Sequence, residues 1–168
     1  DMPWCADCAA CKQTRKGHSR RAKGRKRSTA INEVIHTDTM ERTIASLPPG
    51  RYTKIQTFVD ECTRFLWVRF FRGKSAAEFT GVLESFEQQA QIQHRQSVDW
   101  KGGPGTPVLS YFSDNASELI ARDQKRRLAD KVIDLKLSTP GESQANGIAE
   151  RANRTILETT RILLYQAG

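Results

Sequence analysis

The chain has 168 residues, 27 of them Lys or Arg against 19 Asp or Glu, for a formal net charge of +8. That length suits one domain with a proper core and leaves room for a small appendage. No apolar run approaches the roughly 20 residues of a helical membrane span, and no secretory-type apolar core opens these residues, so no membrane partner is expected.

The basicity is local. Nine basic residues lie between Lys12 and Arg27 (Lys12, Arg15, Lys16, Arg20, Arg21, Lys23, Arg25, Lys26 and Arg27), and no Asp or Glu falls between Asp7 and Glu33. The rest of the chain is close to neutral. Such a run is a phosphate-binding arm, a nuclear localisation signal (Gly24-Arg-Lys-Arg27) or a solvated linker, and the missing acidic counterweight favours nucleic acid. The four cysteines, Cys5, Cys8, Cys11 and Cys62, suggest metal binding plus a core or turn thiol rather than a disulfide framework. The abrupt start at Asp1 and the end at Gly168 read as a piece of a longer polypeptide, truncated C-terminally.

Residues 1–11 hold the first cysteines, and 12–30 form an apolar-poor basic tether that cannot bury enough surface to fold alone. Order is expected from Ile31. Ile31 to Met40 reads as a central strand, apolar on both faces. Tyr52 to Val59 and Phe65 to Phe71, rich in β-branched and aromatic residues and joined by Asp60-Glu-Cys-Thr-Arg64, predict an antiparallel hairpin. Phe79, Val82, Leu83, Phe86 and Ala90 then recur at helical spacing, predicting a helix from Ser75 with one buried face. Val108 to Ser113 predicts a strand with Asp114 at its edge, Leu119 to Lys131 a short charged helix, and Val132 to Leu137 a last strand. The fold class is therefore α/β, a five-stranded mixed sheet with an antiparallel hairpin and flanking helices.

A Pro-Gly loop at Thr139-Pro-Gly141 leads into a long C-terminal helix with Glu150 about one turn inside it. Thirty-five residues separate Glu150 from Asp114. On this helix Ile148, Ala152 and Thr159 lie well over 100° from Glu150 and form the expected core stripe, whereas Arg154 and Arg161 lie within about 40° of it. Leu157 and Leu164 share the Glu150 side, so the far half of the helix is expected to be covered on both sides. Asp38 and Asp114 fall near the ends of strands that could be neighbours, where ligand sites in open sheets collect. Three carboxylates from two strands and a helix suit hard cations such as Mg²⁺. Two such ions about 4 Å apart can clamp the attacking and leaving oxygens of an in-line phosphoryl displacement.

Several of these residues stand in recurring motifs: Cys5-x-x-Cys8-x-x-x-Lys12, His36-Thr-Asp38, Phe58-Val-Asp-Glu-Cys-Thr-Arg64, Ser113-Asp-Asn115, and Thr139-Pro leading to Gln144-x-Asn-Gly-Ile-Ala-Glu150-Arg-x-Asn-Arg154-Thr-Ile156. Together they resemble the integrase of copia-type LTR retrotransposons, within the retroviral-type integrase family, over nearly the whole chain. The resemblance implies a ribonuclease H-like fold and a polynucleotidyl transferase that joins the 3′ ends of element DNA to target DNA. It maps the catalytic, metal-binding carboxylates onto Asp38, Asp114 and Glu150, with two Mg²⁺ or Mn²⁺ ions. It implies a homo-oligomer acting on DNA, in the nucleus for integration and in a cytoplasmic particle before that. It makes residues 31–168 the catalytic core and residues 1–11 the remnant of a zinc-binding module, with Cys5 and Cys8 as half of a Zn²⁺ site. Departures from the family pattern are Ala116 and Leu119 after the Asp-Asn pair, and Gly141-Glu-Ser143 in the loop before Gln144.

Other residues admit two readings. Asp60 rivals Asp38 as a ligand, but it stands where a hairpin turn is expected, and turns favour Asp for local hydrogen bonding. His36 reads as a satisfied strand histidine. Lys12, Arg25, Lys26, Arg27, Arg151 and Arg154 are candidate DNA contacts. So are Gln144 and Asn146, whose first role is to organise their loop. The alternatives are a DNA-binding module of this fold without chemistry, and a ribonuclease H acting on hybrids.

Overall fold

The computed structural model describes residues 27–41, 51–73, 75–96, 108–114, 117–138 and 146–167. The cysteine segment, the tether before Arg27 and the loop at 139–145 lie outside the described residues. So do Cys5, Cys8, Lys12, Arg25, Lys26 and Gln144, and the departures at Ala116 and Gly141 to Ser143.

Five strands form one sheet in the order β3-β2-β1-β4-β5. They are β1 (Val34–Glu41), β2 (Lys54–Asp60), β3 (Leu66–Phe71), β4 (Ser110–Ser113) and β5 (Asp134–Leu137). The first three are antiparallel, with Ile35 opposite Asp60 and Phe58 opposite Trp67. The last two run parallel to β1, with His36 beside Phe112 and Tyr111 beside Leu135. The helices are α1 (Ala76–Gln96), α2 (Ser117–Ile120), α3 (Arg122–Asp130) and α4 (Gly147–Ala167). None of the described helices is long and apolar enough to cross a membrane.

The expected α/β layout is present. Alternation along the strands separates two faces. Ile35, Phe58, Trp67, Phe71 and Tyr111 form the core with Phe79, Leu83, Phe86 and Ala90 of α1. Phe86 is its centre: it stacks on Phe58 with ring centroids 4.2 Å apart and takes the edge of Trp67 at 5.3 Å. Ser75 caps α1, its Oγ accepting from Glu78 N at 3.2 Å. On the far side of this core Glu87 is buried, but it accepts from Arg127 at 2.8 Å, Lys131 at 2.7 Å and the Tyr111 hydroxyl at 3.3 Å.

Val34, His36 and Asp38 point to the opposite face, which α4 covers by packing on β1 and β2. Here the sequence expectation needs correction. Of the expected stripe Ile148 and Ala152 are half-buried and Thr159 is exposed, while the buried residues are Ala149 and Asn153, continued by the half-buried Ile156 and Thr160. This stripe runs i, i+4, i+7 and i+11, so the helix is rotated relative to the expected stripe, because a polar Asn is tolerated in the packed face where it finds a partner. Ile31 is exposed and β1 starts only at Val34, since Asn32 turns the chain with a φ of 63°. The charged helix is two helices, broken at Ala121, whose extended ψ of 140° interrupts the helical path.

Candidate functional site

The parallel register of β1 and β4 sets the site. His36 pairs with Phe112, so two residues on in each strand Asp38 and Asp114 stand side by side on the α4 face. β4 ends at Ser113, and Asp38 therefore keeps its antiparallel neighbour Thr57 while its other flank lies open. Asp38 is half-buried, whereas Asp114 and Glu150 are exposed.

Two donors hold the Asp38 carboxylate. Its Oδ1 accepts from Thr39 N at 2.9 Å, and its Oδ2 accepts from Asn153 Nδ2 at 2.6 Å. Asn153 is 6% exposed, so this bond runs from the packed stripe of α4 into the site. Burial pushes the Asp38 pKa above its ordinary value of 3.8, and the charge of Asp114 pushes it further, with a smaller push from Glu150. The bonds from Thr39 and Asn153 oppose that rise. Asp38 thus feels the two other carboxylates, one just past the end of β4 and one in the first turn of α4.

That donor set, a partly buried carboxylate whose proton affinity two neighbouring carboxylates raise further, is the chemistry a divalent cation relieves. Among the described residues, however, no three Asp, Glu, His or Cys groups stand close enough to enclose an ion. Ligation therefore requires the exposed Asp114 and Glu150 side chains to swing toward Asp38. An open groove of about 450 Å³ runs along the helix from this point. Asp38, Glu150 and Asn153 line its head, Met40 and Leu157 its apolar floor, and Arg154, Glu158 and Arg161 its outer wall.

The other candidate residues separate cleanly. Asp60 is fully buried and accepts from Asn32 N at 3.0 Å and from Thr63 N and Oγ1 at 2.8 and 2.6 Å, so it organises the hairpin. His36 is 1% exposed, 3.2 Å from Glu61 and against the Phe112 ring, away from any ligand position. Asn146, a candidate DNA contact, is instead 2% exposed and donates to the Thr37 carbonyl at 3.2 Å, pinning the start of α4 to β1. Arg154 lines the groove; Arg151 and Arg27 are exposed but outside it. The sequence alone gives Asn153 no role beyond its place in the motif around Glu150. The usable signal is its spacing of seven from Asn146 and four from Ala149, which puts two carboxamides on one packed stripe.

No family profile matches the chain. Among curated proteins, it is 29% identical over 144 residues to the retrovirus-related Pol polyprotein from transposon TNT 1-94 of Nicotiana tabacum, covering 84% of the chain and 10% of that protein. It is 27% identical over 169 aligned positions to the transposon Ty1-NL2 Gag-Pol polyprotein of Saccharomyces cerevisiae, covering 98% of the chain and 9% of that protein. The chain thus spans about a tenth of the length of these relatives. Among solved structures, a chain of the simian T-cell lymphotropic virus intasome matches 87% of it with a TM-score of 0.58 at 15% identity, over 46% of that chain. The HTLV-2 integrase catalytic core in complex with magnesium matches 73% of it with a TM-score of 0.50 at 13% identity, over 66% of that chain. The sheet order and these matches define the class: a ribonuclease H-like fold of the retroviral integrase core type. Within that class the chain's homologues are retrotransposon polyproteins, in agreement with the copia-type integrase resemblance carried by its motifs.

Proposed function

We propose that this chain is the catalytic core of a DNA integrase, a polynucleotidyl transferase in which Asp38, Asp114 and Glu150 hold two Mg²⁺ or Mn²⁺ ions. The observation that supports the reading most is that Asp38 and Glu150 line the head of one groove, with Asp114 following the end of β4 beside Asp38. When bound, the ions would neutralise the three carboxylates and polarise the attacking and leaving oxygens.

In the joining reaction a 3′-hydroxyl of element DNA loses its proton and forms a bond to a target phosphorus. The bond to the target 3′-oxygen breaks, and that oxygen leaves as a new 3′-hydroxyl. Asn153 fixes which oxygen of Asp38 faces the groove, and Asn146 fixes the height of Glu150 by anchoring the helix start. Arg154 and Arg161, on the groove wall, are placed to take phosphates flanking the reacting one, while Met40 and Leu157 offer an apolar floor to sugar or base. Leu163, Leu164 and Tyr165 at the far end of α4 are 60 to 70% exposed, which supports a larger assembly. Integration on chromosomal DNA would place the activity in the nucleus, after assembly in a cytoplasmic particle. The zinc site at Cys5 and Cys8 belongs to the same proposal, as do phosphate contacts by Lys12, Arg25, Lys26 and Gln144.

The test is Mg²⁺-dependent strand transfer of a duplex that mimics an element end, comparing wild type with Glu150→Gln. Loss of joining with unchanged folding supports the reading, and undiminished joining by the variant overturns it. The open arrangement of the carboxylates favours one alternative, a DNA-binding module of this fold without chemistry. A wild-type protein that binds DNA but neither cleaves nor joins it, in either metal, would select that alternative.

A further inference from the structure

Outside the groove, three arginines from distant parts of the chain converge on the β2–β3 turn: Arg64 within it, Arg27 next to the Ser28 that bonds to Glu61 of the turn, and Arg151 on the helix that packs on β2. Arg64 closes the turn. Its N–H donates to the Asp60 carbonyl at 3.0 Å and its φ is 65°, a left-handed conformation that a non-glycine residue adopts at a cost and that fixes how its side chain leaves the turn. Arg64 is half-buried. Ser28 N donates to Glu61 Oε2 at 2.9 Å, which lays Arg27 against the same turn. Arg151 lies one residue past Glu150 and about 100° round α4, the helix that packs on β2. Burial lowers the pKa of the Arg64 guanidinium, and the charges of Arg27 and Arg151 lower it too, against opposing pulls from Glu61 and Asp60.

Like charges brought together on a folded surface call for a counter-charge, and the nearby carboxylates are committed elsewhere. Glu61 is engaged through Oε1 with His36 at 3.2 Å and through Oε2 with Ser28 N. Both oxygens of the buried Asp60 accept from Asn32 and Thr63. Arg27, Arg64 and Arg151 form no ion pair with any of the described residues. Guanidinium groups match phosphate through paired, charge-assisted hydrogen bonds, and a partly desolvated Arg64 strengthens such bonds.

We propose that Arg27, Arg64 and Arg151 form a binding site for a backbone phosphate of DNA, across α4 from the Asp38–Glu150 groove. The inference deepens the integrase reading, because it takes DNA as the substrate, but it does not depend on chemistry. Arg27 ends the run of nine basic residues that starts at Lys12, which favours a polyanion over an isolated phosphate ion. Since Glu150 and Arg151 are adjacent, a duplex crossing the first turns of α4 meets the reactive groove on one flank and this site on the other. Arg64 is the hub, the one half-buried member of the three.

The test uses the whole chain and a fluorescein-labelled duplex, with affinity read by anisotropy in EDTA over a series of KCl concentrations. Arg27→Gln combined with Arg151→Gln is expected to flatten the slope of log affinity against log salt by about 0.9, the value for one phosphate that is no longer neutralised. Arg64→Gln is expected to do the same. If Arg64→Gln does not melt cooperatively, the double variant, made at two exposed positions, decides alone. An unchanged slope in a double variant that melts like wild type overturns the proposal. So does a melting temperature raised by inorganic phosphate in wild type and not in the double variant, if the DNA slope is unchanged, since the site would then take a free anion. A wild type that binds DNA with the expected slope pattern but joins nothing would refute the catalytic reading and leave this one standing.

Discussion

Replacing Asn153 by alanine isolates the contact on which the geometry of the carboxylate site depends. The bond removed is 2.6 Å long, runs from a side chain 6% exposed, and ends on a carboxylate. Hydrogen bonds to charged groups contribute about 1.5–3 kcal/mol, so Asn153→Ala is expected to cost the metal-free protein about 2 kcal/mol. For a domain of this size that is a fall of about 4–8 °C in Tm. The larger consequence concerns the cation. Residues that orient a metal ligand from behind are worth roughly 10–100-fold in metal affinity, so the Mg²⁺ concentration needed to raise Tm should increase by that factor. Asn153→Asp keeps the size but sets a second negative charge on Asp38. It should lower the metal-free Tm further than alanine does, and show a larger rise on adding Mg²⁺. If Asn153→Ala melts like wild type and keeps its Mg²⁺ dependence, Asn153 does not hold Asp38 and the geometric argument fails.

The Asp38 carboxyl has its folded pKa above the ordinary value, so its contribution to stability is present in full below the unfolded value of 3.8 and is lost as pH rises through the folded one. At neutral pH Asp38→Asn should therefore raise the metal-free Tm, removing both the burial of charge and the repulsion from Asp114, while abolishing the Mg²⁺-induced rise; a lower Tm in the metal-free variant would contradict this. Asn146→Ala should reduce joining more than it reduces DNA binding, because it loosens the anchor of Glu150 and not a DNA contact; equal losses in both assays would restore Asn146 as a contact. Phe86→Ala should cost about 3–5 kcal/mol in chemical denaturation, as expected for an aromatic ring deleted from a close-packed core. Glu87→Leu, which leaves Arg127 and Lys131 without their buried partner, should destabilise the α1–α3 contact without changing the salt slope of DNA binding.

The hairpin and α1 were legible because their patterns are strong and local: alternation in β2 and β3, and Phe79, Leu83, Phe86 and Ala90 at helical spacing. The catalytic candidates were legible for a different reason, the joint spacing of Asp38, Asp114 and Glu150 in recognisable motifs. The face of α4 was not. Periodicity of apolar residues pointed to Ile148, Ala152 and Thr159, but the sheet beneath presents a polar strand, and the packed stripe follows the hydrogen-bonding partners it offers. Asn153 is in that stripe because Asp38 is there to accept from it, and no rule of hydrophobic spacing carries that information. Arg64 escaped notice for a similar reason: its companions Arg27 and Arg151 lie far away in sequence and are brought to it only by the turn at Asn32 and the packing of α4.

β4 is short, and its pairing with β1 ends at His36 and Phe112. One residue further on, the Thr37 carbonyl receives its hydrogen bond from the side chain of Asn146 instead. A helix thus takes over where the sheet's ladder stops, and the strand segment carrying Asp38 is fastened to α4 at both Thr37 and Asp38. The two elements that supply Asp38 and Glu150 are therefore expected to open and close as one cooperative unit. In hydrogen exchange, the amides around Asp38 and those of the first turns of α4 should share one opening free energy, so that a ligand steadying either would slow exchange in both.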